Sequence, residues 1–549
     1  MNWTEGYFTG LDYTHGYYRE MNPAMLRLTC IAAGIQPPPV KDPVYLELGF
    51  GQGVSINVHA AASGGAFWGT DFNPSHAAHA ATLADASGAD LCLFDDSFAE
   101  FAARDDLPIF DFIVLHGVWS WISERNRSLI CDIVRNNLRV GGLVCLSYNC
   151  QPGWAAQMPV RHLMAQHMRY AGSEIGGAAG QIDGALRYVQ KVAASGAAYF
   201  TENPVLEQFV RGLQSQNRNY LGHEYLNQDW NITTFADVAA SLSEAKLSFA
   251  AAARLLDHID EFSMDLPTRQ LIADIEHPLL KQTVRDYVVN QKFRMDIFVK
   301  GPRQLVGIEA RTVWNQERFT LTVPKELTKL EHSTPVGDLE LDEHIYGPLI
   351  EALAARRYVA KTISELCEFP GMGGFDVRKI LSALLMLTGL GYVQPARIPT
   401  DLDRKRCDAL NQHLCQRALA TGDISVLASP VLGGGKHAPQ DHQMVILARL
   451  AGMTTPTDQA LYLNAVFEAN GGDLMREGKR VQMGDEAIAQ FKGLAEKFER
   501  EGHAPLLAAL EILPARDVSR PHREKPTAMI GQRPNPAGYV SVNPGRASS

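Results

Sequence analysis

The chain has no CxxC pair and none of the Cys/His spacings that grip zinc, so its 549 residues encode neither a disulfide framework nor a structural zinc site. Cys30, Cys92, Cys131, Cys145, Cys150, Cys367, Cys407 and Cys415 are scattered and read as reduced thiols of a cytoplasmic protein. The opening MNWTEGYFTGLDY lacks a basic and an apolar region and does not read as a secretory signal. No stretch reaches the ~18 consecutive apolar residues of a membrane span. Positive charge is also short. Lys and Arg number 51 against 61 Asp and Glu, a net charge of −10, which argues against a surface built to neutralise phosphates; no nucleic-acid partner is expected. With 46% hydrophobic and 20% charged residues the composition is that of a globular chain. Its length suggests roughly three or four domains.

From 41 to 175 short apolar runs alternate with helical patterns, the signature of βαβ units and a parallel sheet. Strands are expected at 44–48, 66–70, 91–94, 112–115 and 143–148, with Gly141 and Gly142 turning the chain before the last. A Gly/Ala-rich connection, GSEIGGAAGQIDGA (172–185), reads as a hinge, and 186–325 as a helical middle domain that FRMDIFVKG (293–301) leaves as a strand. Residues 340–400 run helix, Gly-rich turn, apolar helix and short strand, the order of a winged helix; the acidic chain favours a protein-packing role for it. Residues 401–514 read as helical and 515–549 as a disordered tail. LGGGKH (432–437) lacks the spacing and context of a phosphate loop and reads as a turn.

The densest chemistry follows the first strand, in YLELGFGQG. A loop leaving the carboxyl end of a parallel strand is where open α/β sheets bind ligands. Gly49, Gly51 and Gly53 permit a tight turn there, and the next helix offers free N–H groups. Asp71 ends the second strand, where a carboxylate can accept two ribose hydroxyls; Asn73 and Pro74 then open a helix. A dinucleotide loop is GxGxxG, but here Val54 stands at the last glycine. Glu47, ahead of the turn, can receive an amino-bearing or cationic group. Together with an acid at Asp95 or Asp96, the pattern points to S-adenosylmethionine.

Methyl transfer from a sulfonium requires alignment, water exclusion and a free lone pair on the acceptor. The acceptor belongs beside the fourth strand end, in FDFIVLHGVWSWIS (110–123). His116 is a candidate base toward a hydroxyl, or a hydrogen-bond partner of an amine or the cofactor. Trp119 is expected as a wall or cation–π face, and Trp121 as core. Trp3, Tyr7, Phe8, Tyr13, Tyr17 and Tyr18 crowd the N-terminus, so residues 1–40 read as an aromatic lid over this edge, with Tyr13, His15, Tyr17 and Tyr18 as lid candidates.

HGVWSWIS, LSYNCQPGW (146–154), HEYLNQDWNITTFADVAASLSEAKLSF (223–249), FRMDIFVKG and LASPVLGGG (427–435) resemble segments of bacterial class I methyltransferases with a methyltransferase regulatory domain. That group includes protein-lysine methyltransferases acting on outer-membrane proteins. The resemblance spans about 40–510 and implies an α/β fold: a Rossmann-like catalytic domain, a mostly helical middle domain and a winged-helix-like and helical C-terminal region, often dimeric. It implies that Glu47, Gly49, Gly51, Gly53, Asp71, Asp96 and Ser97 contact S-adenosyl-L-methionine, with Tyr18, Phe72, Asn73 and Phe98 beside them. His116 and Trp119 would border the methyl group, Tyr148, Asn149 and Trp154 the acceptor. Tyr148 joins His116 and Trp119 as a catalytic candidate. His223, Glu224 and Tyr225 fall in the middle-domain motif.

The expected function is methylation of a protein side chain, foremost a lysine amine. More than 300 residues beyond the catalytic core suit a large acceptor. Two alternatives stand beside it: O-methylation of a cell-surface glycan or its precursor with His116 as base, and a non-catalytic protein that senses the cofactor.

Overall fold

The apolar runs assemble into one sheet in the computed structural model, which describes residues 3–10, 13–39, 41–172, 176–225, 227–470, 474–476 and 479–514. The expected tail from 515, and 173–175 of the expected hinge, lie outside the described residues. Helix α1 (Pro23–Ala32) precedes β1 (Val44–Leu48), α2 (Val54–Ser63), β2 (Ala66–Thr70), α3 (Pro74–Ser87), β3 (Leu91–Phe94), α4 (Phe98–Ala102), β4 (Phe110–Leu115), α5 (Glu124–Asn137) and β5 (Leu138–Asn149). Two later strands, β6 (Leu247–Ala252) and β7 (Phe293–Lys300), complete seven in the order β3-β2-β1-β4-β5-β7-β6. Strands β1 to β5 pair in parallel; β7 runs antiparallel between β5 and β6. A dinucleotide-binding sheet runs 3-2-1-4-5-6, so the inserted antiparallel strand separates this Rossmann-like sheet from that class.

Side-chain alternation builds two apolar layers. Leu46, Leu48, Ile113, Leu115, Val144 and Leu146 face α5 (Ile130, Ile133, Val134) and the helix Phe235–Ser243. Tyr45, Phe112, Val114, Leu143 and Cys145 face α1 and α2 through Leu26, Cys30, Ile56 and Ala60. Both sheet faces are thereby covered, which accounts for near-continuous apolar runs in the central strands.

Three expectations need correction. FRMDIFVKG does not leave a middle domain; it is β7, drawn into the central sheet by seven residue pairings with β5. Gly141 and Gly142 do not end a helix-to-strand turn but lie within β5, where the register against β4 shifts between Phe110 and Phe112 and Gly141 takes φ +80°. The expected hinge is helical from 177: Gly177–Ala194 buries Ile182, Ala185, Leu186 and Val189 at helical spacing, and packing outweighs the poor propensity of its glycines.

The C-terminal half docks on α1, α2 and α3. Arg318–Leu321, Lys361–Thr362 and Val393–Ala396 form a three-stranded antiparallel sheet. The helices Glu343–Ala354, Ile363–Cys367 and Val377–Gly389 share one apolar core with it. The helix Asp401–Arg417 packs on α2, whose ten residues are all buried. Arg397 donates to the Ala62 carbonyl at 2.7 Å. The glycines of LGGG are required by close packing, since a Cβ at Gly434 would lie 1.9 Å from Asn22 Nδ2 and one at Gly435 would lie 2.7 Å from the Tyr17 ring. That run is where the N-terminal segment meets the C-terminal half. All eight cysteines are unpaired. Among the described residues, no helix is long and apolar enough to cross a membrane.

Candidate active site

The glycine loop closes between β1 and α2 with Gly49, Gly51 and Gly53 at φ +72°, +56° and +70°. Side chains are excluded there by space as well as by conformation. A Cβ on Gly49 would come within 2.6 Å of Val118 Cγ2, and one on Gly53 within 2.3 Å of Ala80 Cβ on α3. Gly53 thus does the helix-packing work that a dinucleotide loop assigns one residue later. Asp71 holds the loop: its Oδ2 accepts from the Gly51 N–H at 2.8 Å, and its Oδ1 accepts from the Asn73 N–H at 3.1 Å. His76 Nδ1 lies 3.0 Å from the same Oδ1. A carboxylate offers about four acceptor positions, so little capacity is left for ribose hydroxyls. Asn73 caps α3, its side chain accepting from Ser75.

Glu47 is 3% exposed and its Oε2 has no hydrogen-bond partner among the described residues. Burial, then the charge of Asp71, push its carboxyl up to about 8. A buried acceptor without a donor is costly unless a ligand supplies one.

A cavity of about 850 Å³ opens beside this loop. It gathers Gly49, Gly51, Asp71, Phe72, Asp96, Ser97, Phe98 and His116 from the ends of β1 to β4. Trp3 and Tyr7 lie against the Phe72 ring, with centroids 5.8 and 5.5 Å away. Glu47, Gly53 and Asn73 are not in the wall; Gly53 and Asn73 shape it from behind. Two polar candidates are already engaged. Asp96 pairs with Arg104 at 3.1 Å, and Ser97 exchanges capping hydrogen bonds with Glu100 at the start of α4.

A second cavity of about 590 Å³ shares Tyr13, His116, Gly117 and Trp121 with the first. Tyr18 lies in its wall with its ring 3.6 Å from that of His116, centroid to centroid. His116 Nδ1 lies 3.1 Å from the Ser147 hydroxyl, which accepts from the Gly117 N–H at 2.8 Å. Burial, then Arg254, press the imidazole down to about 3, so it is neutral at physiological pH. Of the lid candidates, Tyr13 and Tyr18 line this space. Tyr17 and His15 face the C-terminal half instead: the Tyr17 hydroxyl accepts from the Gly435 N–H at 2.6 Å, and His15 lies 3.5 Å from Asp423.

Two catalytic candidates have their side chains engaged elsewhere. Trp119 is 1% exposed in the core beneath the sheet, whereas Trp121, expected as core, lines both cavities and stacks on Trp230 at 6.1 Å. The turn Trp119–Trp121 is 3₁₀, so residues two apart point to different sides. Tyr148 borders the second cavity, but its hydroxyl is spent on Asp296 at 2.6 Å. Asp296 is itself held by Arg294 at 2.8 and 2.9 Å. Asn149 lines the cavity; Trp154 packs instead on Trp230, 5.5 Å away. Sequence reasoning gave no defined role to Tyr220 and Glu224, which close the second cavity from the helix Arg218–Tyr225. Only the HEYLNQ motif, which contains Glu224 and begins three residues after Tyr220, hinted at them.

Residues 217–300 match the family described as "Predicted methyltransferase regulatory domain". An uncharacterized protein of Synechocystis sp. is 37% identical over 93% of this chain and 100% of its own length. The structure of PKMT2 from Rickettsia typhi in complex with AdoHcy superposes with a TM-score of 0.65, covering 88% of this chain and 98% of that one at 16% identity. A second structure of the Rickettsia typhi protein gives 0.64 over 91% and 99% at the same identity. The methyltransferase fold expected from HGVWSWIS and LSYNCQPGW is the one these structures share.

Proposed function

The chain belongs to the family of that Synechocystis protein, a class I methyltransferase fold joined to a methyltransferase regulatory domain, and from this premise we propose that it is an S-adenosylmethionine-dependent methyltransferase acting on a lysine amine of a protein. One observation carries the reading: two cavities meet at His116, Gly117 and Trp121, one at the glycine loop and the other walled by tyrosines and a carboxylate. The cofactor's residues fit. Asp71 offers a remaining lone pair to a ribose and Phe72 and Phe98 apolar faces to an adenine, while Glu47 holds a buried acceptor behind the wall that a small shift of the loop would turn to an amino group. S-adenosylmethionine supplies, when bound, a methyl group on a sulfonium. Tyr13, Tyr18 and Trp121 exclude water from the junction, which favours the neutral form of an entering amine.

The lysine acceptor rests on the resemblance to protein-lysine methyltransferases and on PKMT2, whose fold the chain shares. A glycan hydroxyl would ask His116 for a basicity that its burial removes. The test is incubation of the purified protein with methyl-labelled cofactor and a bacterial lysate. Label is expected in protein, at lysine by mass spectrometry; label confined to carbohydrate, or no turnover, would overturn the proposal.

A further inference from the structure

Glu224 is the one carboxylate among the described residues lining the second cavity, and it makes no ion pair within them. The nearest guanidinium is spent elsewhere: Arg161 donates to the backbone carbonyls of Glu224 and Asn227 at 3.3 and 2.7 Å. That arrangement anchors the helix Arg218–Tyr225 and leaves the carboxylate without a direct cation. Tyr13 and Tyr18 from the N-terminal segment and Tyr220 from its own helix share its cavity wall and feel its charge, and the neutral His116 at the end of β4 lines the same cavity. Tyr7 and Tyr225 also feel its charge. Tyr220, at 38% exposure, is the exposed member of this wall. An acid ringed by phenols suits an ammonium better than a hydroxyl, because the phenol oxygens accept from N–H donors and the rings face the cation.

We propose that Glu224 receives the acceptor's ammonium, so that the region matched as a regulatory domain supplies a catalytic residue to the acceptor side. The inference rests on the lysine reading above. The ammonium enters paired with the carboxylate. One N–H bond breaks, its proton forms an O–H bond on Glu224, and the neutral amine keeps the freed lone pair. That pair forms the N–CH₃ bond as the C–S bond breaks and its electrons pass to sulfur, leaving the neutral thioether. The resulting methylammonium regains its charge without any oxidant or metal.

Burial pushes Glu224 up to about 8, against the opposing pull of Arg161, which sets the test. Kinetics are measured from pH 6 to 10.5 on the lysine-bearing protein that the wild type labels, together with AdoHcy affinity by calorimetry. Wild-type kcat/KM is expected to rise through an acid limb near 8. Glu224→Gln should lose at least 100-fold at pH 7.5 and keep its AdoHcy affinity within threefold. Its rate should climb about tenfold per pH unit toward the ordinary lysine value of ~10.4. If Glu224→Gln does not fold, Glu224→Asp takes its place, with partial activity and a displaced acid limb expected. Unchanged rate and pH profile in the folded variant would overturn the role of Glu224 alone. Absence of lysine label with the wild type would overturn the lysine reading, and this inference with it.

Discussion

The two cavities are built in different ways. The first cavity draws on the ends of four strands between Gly49 and Val118, each followed by its own helix, with Trp3, Tyr7 and Tyr13 of the N-terminal segment in its wall. The second cavity is assembled from five separated pieces: Tyr13 and Tyr18, His116 to Trp121, Ser147 to Asn149, Tyr220 with Glu224, and Phe293. The first gathers consecutive strand ends of one βαβ succession. The second exists only because β7 inserts beside β5 and the helix Arg218–Tyr225 folds back over the sheet's end.

Substitutions can separate the two cavities. The largest effect is expected from Gly53→Val, which places a branched side chain at φ +70° against Ala80. AdoHcy binding should fall more than ~100-fold with a lower melting temperature, by calorimetry and thermal denaturation. Trp119→Ala should cost about 3–5 kcal/mol of unfolding free energy, as for a buried aromatic, while folded protein still binds AdoHcy. If instead stability held and turnover vanished, Trp119 would return to the acceptor wall.

Glu47→Gln should weaken AdoHcy about 10- to 100-fold, the worth of ~1.5–3 kcal/mol for a charge-assisted hydrogen bond. The wild type should also release a proton on binding near pH 7, seen as a buffer-dependent heat that the variant lacks. The sign for the unliganded protein is fixed by the raised carboxyl. Between the ordinary value of 4.5 and about 8 the folded state keeps a proton that the unfolded chain has lost, so this group's stabilising contribution declines as pH rises through that window. Glu47→Gln should flatten the decline in a pH series of denaturant midpoints. Tyr148→Phe should cost about 1–2 kcal/mol by removing one partner of Asp296, with kcat within about twofold of wild type. The smallest effect is expected from His116→Ala: a ring pressed down to about 3 is a poor base, so kcat/KM should change less than about tenfold. A thousandfold loss with cofactor binding intact would restore the hydroxyl-acceptor reading.

The contrast between Trp119 and Trp121 shows where legibility stopped. Both stand in WSW just beyond a strand end, and composition treats them alike. Only the 3₁₀ turn decides which meets the core and which the cavity. Ser97 and Asp96 were found at the right strand end, but their engagement with Glu100 and Arg104 depends on helix α4 and the loop after it. The engagement of Tyr148, a catalytic candidate by resemblance, was not legible because its partner, Asp296, lies 148 residues away on β7.

The amino-acid sequence by itself determined the parallel strands, the glycines that permit the tight turn, and the acids at the strand ends. Each depends on backbone conformation and alternation among residues close in the chain, and those act before any distant contact forms. Tertiary structure alone decided that FRMDIFVKG enters the sheet, that Trp121 rather than Trp119 faces the cavities, and that Glu224 lines the second cavity without an ion pair among the described residues. A carboxylate is spent or free according to which cations the fold brings within reach, and the pairing of segments far apart in the chain settles that.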